Sequence, residues 1–259
     1  MLVMRLVCIL LLSLATCTQT VAQMESLNPV RKDSAIAVPI LQISYAVQVP
    51  IGDLADRFGI AHNIGGNIAY KTRNNWIVSL GGHYIFGDIV QNKEKLLDEM
   101  LTPNNIIIGS DGAPAIVNIG QSGYMLDFRV GKILPILRPN KNSGPIISIG
   151  GAFMEHWISY SVQNNAIPQL QGQYLKGYDR LTNGFMLNQF IGYHFQGNAR
   201  LLNFYGGFEF SQGFMGNRRS YDIPEQRKID PNLTYFQFGF RIGWMLPFYK
   251  RNQNEFYYN

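Results

Sequence analysis

The sequence predicts an all-β fold, an eight-stranded antiparallel up-and-down transmembrane β-barrel, on three observations. Eight segments alternate between large apolar residues and small or polar ones, the period-two pattern of strands whose faces see different media. The polar set is mostly Gly, Ser, Ala, Asn and Gln. A water-facing wall would be dense in Lys and Glu, so this set fits a crowded lumen and its apolar opposite fits lipid. The connections run medium, short, long, moderate, long, short, long. That is the rhythm of a barrel whose odd loops face outward and whose even turns face the periplasm.

The first strand, 40–49, sets Leu41, Ile43, Tyr45 and Val47 against Gln42, Ser44, Ala46 and Gln48. A loop punctuated by Pro and Gly, 50–61, leads to the second, near 62–71, where Ile64, Ile68 and Tyr70 oppose Asn63, Gly65, Asn67 and Ala69. The polar turn 72–75 joins it to the third, 76–87, with Trp76, Val78, Leu80 and Tyr84 against Ser79, Gly81 and His83. An insertion, 88–122, holds the helix-prone QNKEKLLDEML and the turn-rich GSDGAP. Strand four, 123–133, places Asp127 and Arg129 opposite Tyr124, Leu126, Phe128 and Val130. Beyond the turn 134–144, strand five, 145–156, shows Ile147, Ile149 and Phe153 against Ser148, Gly150 and Ala152. A long loop, 157–182, follows. Strands six, 183–195, and seven, 201–211, flank the short 196–200, and a charged loop, 212–232, precedes the last strand.

That closing strand, 233–249, has the clearest pattern. Phe236, Phe238, Phe240, Ile242 and Trp244 form one face; Tyr235, Gln237, Gly239, Arg241 and Gly243 form the other. Five bulky side chains from one strand would overfill an eight-stranded lumen, so they face lipid. Tyr45, Tyr70, Trp76, Trp244 and Phe248, near strand ends, fit interfacial aromatic girdles.

The chain opens MLVMRLVCILLLSLATCTQTVAQ. Arg5 followed by about ten apolar residues and a Thr-Val-Ala site predicts a signal peptide over 1–22, because so short a run cannot span a bilayer as a helix. Leu14 to Cys17 partly resembles a lipobox, with Thr16 poorly suited to its position. Cys8 and Cys17 both fall in the removed segment, so the predicted mature chain, a barrel over 23–249 and a periplasmic tail over 250–259, has no disulfide. Without Arg5 it carries 21 basic and 17 acidic residues, a net charge of +4. Spread along the chain, that excess makes no nucleic-acid footprint.

Charges inside strands need partners. Alternation puts Asp127, Arg129, Glu209 and Arg241 in the lumen, and the neighbouring strands of the last two predict a Glu209–Arg241 pair within a structural ionic plug. Catalytic residues are not found. A rim hydrolase needs a His beside a Ser; the nearest approach, His156 and Ser159, lacks the spacing, and His156 reads as a rim histidine beside a girdle tryptophan. His62, His83 and His194 are dispersed, so no metal ligand set and no cofactor site is predicted. Asp111-Gly112 and Asp230-Pro231 read as turn dipeptides, with a loop calcium site as the alternative.

Function then falls to the loops and the tail. Tyr174, Tyr178, Asp179 and Arg180 in the loop 157–182, and Phe256, Tyr257 and Tyr258 in the tail, are of the residue types that anchor protein interfaces. Arg218 and Arg219 are of the type that meets lipopolysaccharide phosphates.

From about 40 to 249 the chain resembles the small outer-membrane β-barrel proteins of Gram-negative bacteria, of the OmpA and OmpX shape. The residues Gln237, Gly239, Ile242 and Trp244 look like the C-terminal β-signal read by the barrel-assembly machinery, except that a tail follows the strand. PIGDLADRFG and QYLKGYDRLTNG look like barrels of the Bacteroidota. The resemblance implies an integral outer-membrane protein in contact with outer-membrane lipids and, during biogenesis, with that machinery. The expected role is a non-enzymatic structural or accessory subunit of an envelope complex, serving secretion or barrel assembly. The alternatives are a lipid hydrolase and a small porin or adhesin.

Overall fold

A computed structural model of the protein describes residues 34–163, 167–197, 201–228 and 232–249. The predicted signal peptide, the tail 250–259 and the Asp230-Pro231 turn lie outside the described residues.

Eight strands close into one antiparallel barrel: β1 (Val38–Gly52), β2 (Ala61–Lys71), β3 (Trp76–Gly87), β5 (Pro114–Ile133), β6 (Gly144–Gln163), β7 (Thr182–Gln196), β8 (Asn203–Asn217) and β11 (Asn232–Pro247). Each pairs with its neighbours in sequence order, and β1 with β11 seals the ring. Walking across the sheet from Gln42 passes Asn67, Gly81, Asp127, Ala152, Met186, Gly213 and Tyr235. It returns to β1 at Gly52, ten residues from where it left. Such a stagger tilts the strands by roughly 40° and leaves a lumen just wide enough for side chains.

The faces fall as the alternation requires. Ile68, Leu80, Leu126 and Phe185 stand exposed on the outer wall, while Gln48, Asn67, Asp127 and Arg241 are buried within. Large apolar side chains cover the wall on every strand. Along the loop-end rim, rings of Tyr45, His62, Phe86, Tyr84, Tyr124 and Trp157 follow one another with centroids 5.4–6.1 Å apart. Trp76, Tyr70 and Phe248 are exposed at the turn end.

Three predicted boundaries are corrected. β5 begins at Pro114 and β6 runs on to Gln163, so parts of the predicted loops 88–122 and 157–182 are a tall hairpin with pairs out to Ile116–Gln163. Its outer face there is Ile116, Asn118, Gly120 and Ser122 against Ser159, Ser161 and Gln163. This part of the outer face is mostly small or polar, so the alternation that marks the other strands is missing. β8 likewise extends to Asn217.

The remaining loop segments are built. The insertion contains a short helix, α1 (Lys93–Leu97), and β4 (Ile107–Ile108), which pairs with the start of β5. β9 (Tyr221–Asp222) and β10 (Arg227–Lys228) form a small hairpin in the last loop.

The lumen is filled in layers. Near the turns lies an apolar layer that includes Val38, Ile40, Ile133, Phe190 and Met245. Near the loops lies a second, with Ile85, Met125, Met154, Met186, Met215 and Tyr235. Leu54 and Phe58, from the loop after β1, fold back into this outer layer and are buried. Between the two sits the charged layer.

Candidate functional site

The charged layer gathers all four residues that alternation placed inside. Arg241 donates from Nε and Nη2 to the two oxygens of Glu209, at 2.9 and 3.1 Å, and from Nη1 to Ser44 Oγ at 2.8 Å. Arg129 reaches across from β5, donating from Nη1 to Glu209 Oε2 at 2.6 Å and from Nε to Asp127. Gln48 Nε2 also donates to Glu209, at 3.0 Å. Glu209 thus accepts from three side chains, and two guanidinium groups face two carboxylates. That balance is what makes buried charge tolerable.

Besides Ser44 and Gln48, two further members of the network were not among the predicted charges. Asn67 Nδ2 donates to Asp127 Oδ1 at 3.0 Å, and His83 Nε2 lies 3.2 Å from the same oxygen. Both share the inward parity of Asp127, a signal that was present. What alternation cannot supply is the stagger that brings three strands to one height. A cavity of about 50 Å³ lies beside the layer, lined in part by Gln42, Ser79, Arg129, Ser148 and Arg241. Apolar layers thus lie on both sides of the charged layer along the barrel axis.

His156 is corrected. It does not stand at the rim beside Trp157 but points inward, fully buried, with the rings of Phe58 and Tyr235 at 5.3 and 5.4 Å. Ser159 Oγ donates to the Gly120 carbonyl at 3.2 Å. The two side chains lie on opposite faces of β6 and form no dyad. His62 faces outward against Tyr45, whose hydroxyl is 2.6 Å from its Nδ1.

The outer loops brace one another into a cap. Arg219 holds Asp179 with two hydrogen bonds, at 2.7 and 2.5 Å, and that bonding raises the Arg219 pKa above its ordinary value. Arg180 pairs with Asp222 at 2.6 Å and Glu225 at 2.8 Å. Gln226 Nε2 donates to Glu99, tying the last loop to the insertion. Beneath these, Ile107, Ala115, Ile167, Leu170 and Tyr178 form a separate apolar core.

Four residues were read as partner-binding in this region. Tyr178, Asp179 and Arg180 are used inside the cap, and Tyr174 alone stands 72% exposed. Arg218 donates to Asn183 Oδ1 at 2.5 Å. Phe256, Tyr257 and Tyr258 lie outside the described residues.

The residues that resemble an assembly signal are split by the pleat of β11. Gln237 and Gly239 face the lumen, Ile242 the outer wall, and Trp244 Nε1 donates to the Leu201 carbonyl at 2.8 Å. Gly239 sits where β11 meets β1: an added Cβ would stand 2.6 Å from the Val47 carbonyl oxygen.

No family model matches the chain, and no curated protein matches it. Among solved structures, it is similar to the N-terminal β-barrel domain of Pseudomonas aeruginosa OprF, at 10% identity and a TM-score of 0.36, over 82% of this chain and 100% of that one. It is also similar to Ail, the attachment invasion locus protein of Yersinia pestis, at 11% identity and a TM-score of 0.40, over 81% of this chain and 99% of that one. At such values these likenesses assign no function.

Proposed function

We propose that the chain is an integral barrel of a bacterial outer membrane. In this reading it neither conducts nor catalyses, and it serves an envelope protein complex as a structural or accessory subunit through its outer cap. The observation that carries the reading is the pairing of an inside-out barrel with a braced cap. The apolar wall far exceeds the exposed patches of water-soluble proteins, which supports a lipid setting. The filled lumen supports a role other than transport. A rigid display of loops supports a role at their surface, since pre-ordered loops bind without a large ordering cost.

Photo-crosslinking in native membranes tests the assignment. A photoreactive residue placed at Tyr174 or at the exposed Tyr221 should give one discrete protein adduct, while the same residue at lipid-facing Leu126 should give none. Equal smears, or no adduct, at all three positions would sink the accessory-subunit reading.

A further inference from the structure

The fold sorts charges that are scattered in the sequence. Outside the lumen, every described Asp and Glu lies in the loop-side half of the molecule. The turn end holds Arg73, Lys132, Arg138 and Lys141, with Lys71 buried beneath them, and no carboxylate among the described residues.

Lys132 and Lys141 are brought beside the 72–75 turn, which holds Arg73, because the two turns are tied together. Asn75 Nδ2 donates to the Lys141 carbonyl at 3.1 Å, and Lys132 Nζ donates to the Asn74 carbonyl at 2.7 Å. Lys132 also lies over the ring of Trp76, 4.8 Å from its centroid. Its charge is thereby held at the height of the girdle, where headgroups lie.

The same rim carries an apolar feature that packing does not explain. In the turn between β5 and β6, Ile136 is 54% and Leu137 84% exposed, immediately before Arg138. Leu137 adopts a positive φ of 45°, unfavourable for a side chain of that size. The Tyr193 hydroxyl, from the outer wall of β7, donates to the Leu137 carbonyl at 2.9 Å. The turn at Leu137 therefore lies against the outside of the barrel, and both of its apolar side chains are left exposed there. Strained, exposed leucine next to arginine is the arrangement of an interfacial anchor.

We infer that this rim is a binding surface for anionic phospholipid headgroups of the leaflet at the turn end, with Ile136 and Leu137 toward the acyl chains and Arg73, Lys132, Arg138 and Lys141 spread along the rim at the height of the phosphates. The inference rests on the membrane reading above. Charge complementarity selects the occupant: a cationic rim without carboxylates among the described residues, continuous with an apolar wall, attracts acidic lipids over zwitterionic ones. Lysines and arginines near such a surface act additively, so four of them give a preference well above that of an uncharged rim.

The test refolds the full chain into vesicles and measures, by spin-labelled lipids, the relative association of phosphatidylglycerol and phosphatidylcholine with the barrel. The wild type should prefer phosphatidylglycerol by about fivefold or more. The variant R73Q/K132Q/R138Q/K141Q should bring the ratio close to one, and high salt should do the same. Because Lys132 braces the turns, R73Q/R138Q serves as a milder variant at two exposed positions, expected to fall between. Heat-modifiable gel mobility checks folding of each.

Equal association of the two lipids with the wild type, or an undiminished preference in both variants, would overturn the site. So would loss of the preference to inorganic phosphate at matched ionic strength, which would make it a site for the free anion. Failure of the folded chain to enter vesicles of either composition would overturn the membrane reading and the site with it.

Discussion

Arg241 and Glu209 face each other in the middle of the lumen through two parallel hydrogen bonds, and Arg129 completes the carboxylate from the far wall. Removing one partner leaves the other charge buried without its complement. Arg241→Ala should therefore lower stability by about 3–5 kcal/mol, read as the urea midpoint of the refolded barrel. R241M/E209M keeps the Arg129–Asp127 pair and should recover much of that loss. A double variant as weak as the single one would show that the apolar replacement cannot pack.

The plug from the loop after β1 supplies the second prediction. Phe58→Ala empties a buried position against His156 and should cost about 3–5 kcal/mol. Conductance should nevertheless stay at background in planar bilayers, because the charged and turn-end layers remain. Discrete channel openings in this variant would mean that Phe58 is the only barrier.

His156 gives a prediction of opposite sign. Among the described residues neither ring nitrogen has a hydrogen-bonding partner, and the neighbours are aromatic. Leucine at this position should leave the barrel at least as stable, within a gain of about 1–3 kcal/mol. A clear loss in urea would show that the imidazole makes a bond worth keeping.

The cap should separate from the barrel energetically. Arg180→Gly removes both carboxylate contacts while suiting the positive φ of 47° at that position. The Arg180–Asp222 pair is largely buried, but within the cap and outside the lumen, so its loss should open the cap locally and leave the unfolding of the barrel itself little changed. Limited proteolysis should instead cut faster near 218–228, without faster loss of the barrel core.

Closure of the barrel depends on Gly239. A valine there must displace the Val47 carbonyl or Gln48 from the β1–β11 seam. The expected result is a lower yield of heat-modifiable, folded barrel on dilution into detergent, with Gly243→Ala, against the movable Tyr205 ring, as the milder comparison.

Sequence by itself determined the period, the sense of the faces and the inward set. Phe236, Phe238 and Phe240 could only face outward, and Glu209 and Arg241 only the lumen, because a strand alternates and an eight-stranded lumen is narrow. Alternation is a local property, readable one strand at a time. Tertiary structure decided what depends on height and on distance across the ring. The ten-residue stagger brings His83 and Asn67 to Asp127, lifts the β5–β6 hairpin above the belt, and lets Phe58 reach His156. It also sorts the charges, setting Arg73, Lys132, Arg138 and Lys141 on one rim and Arg180 and Arg219 among carboxylates at the other. Partners contributed by distant segments leave no local pattern, so residues such as Tyr178 and Asp179 read as free in the chain and are packed in the fold.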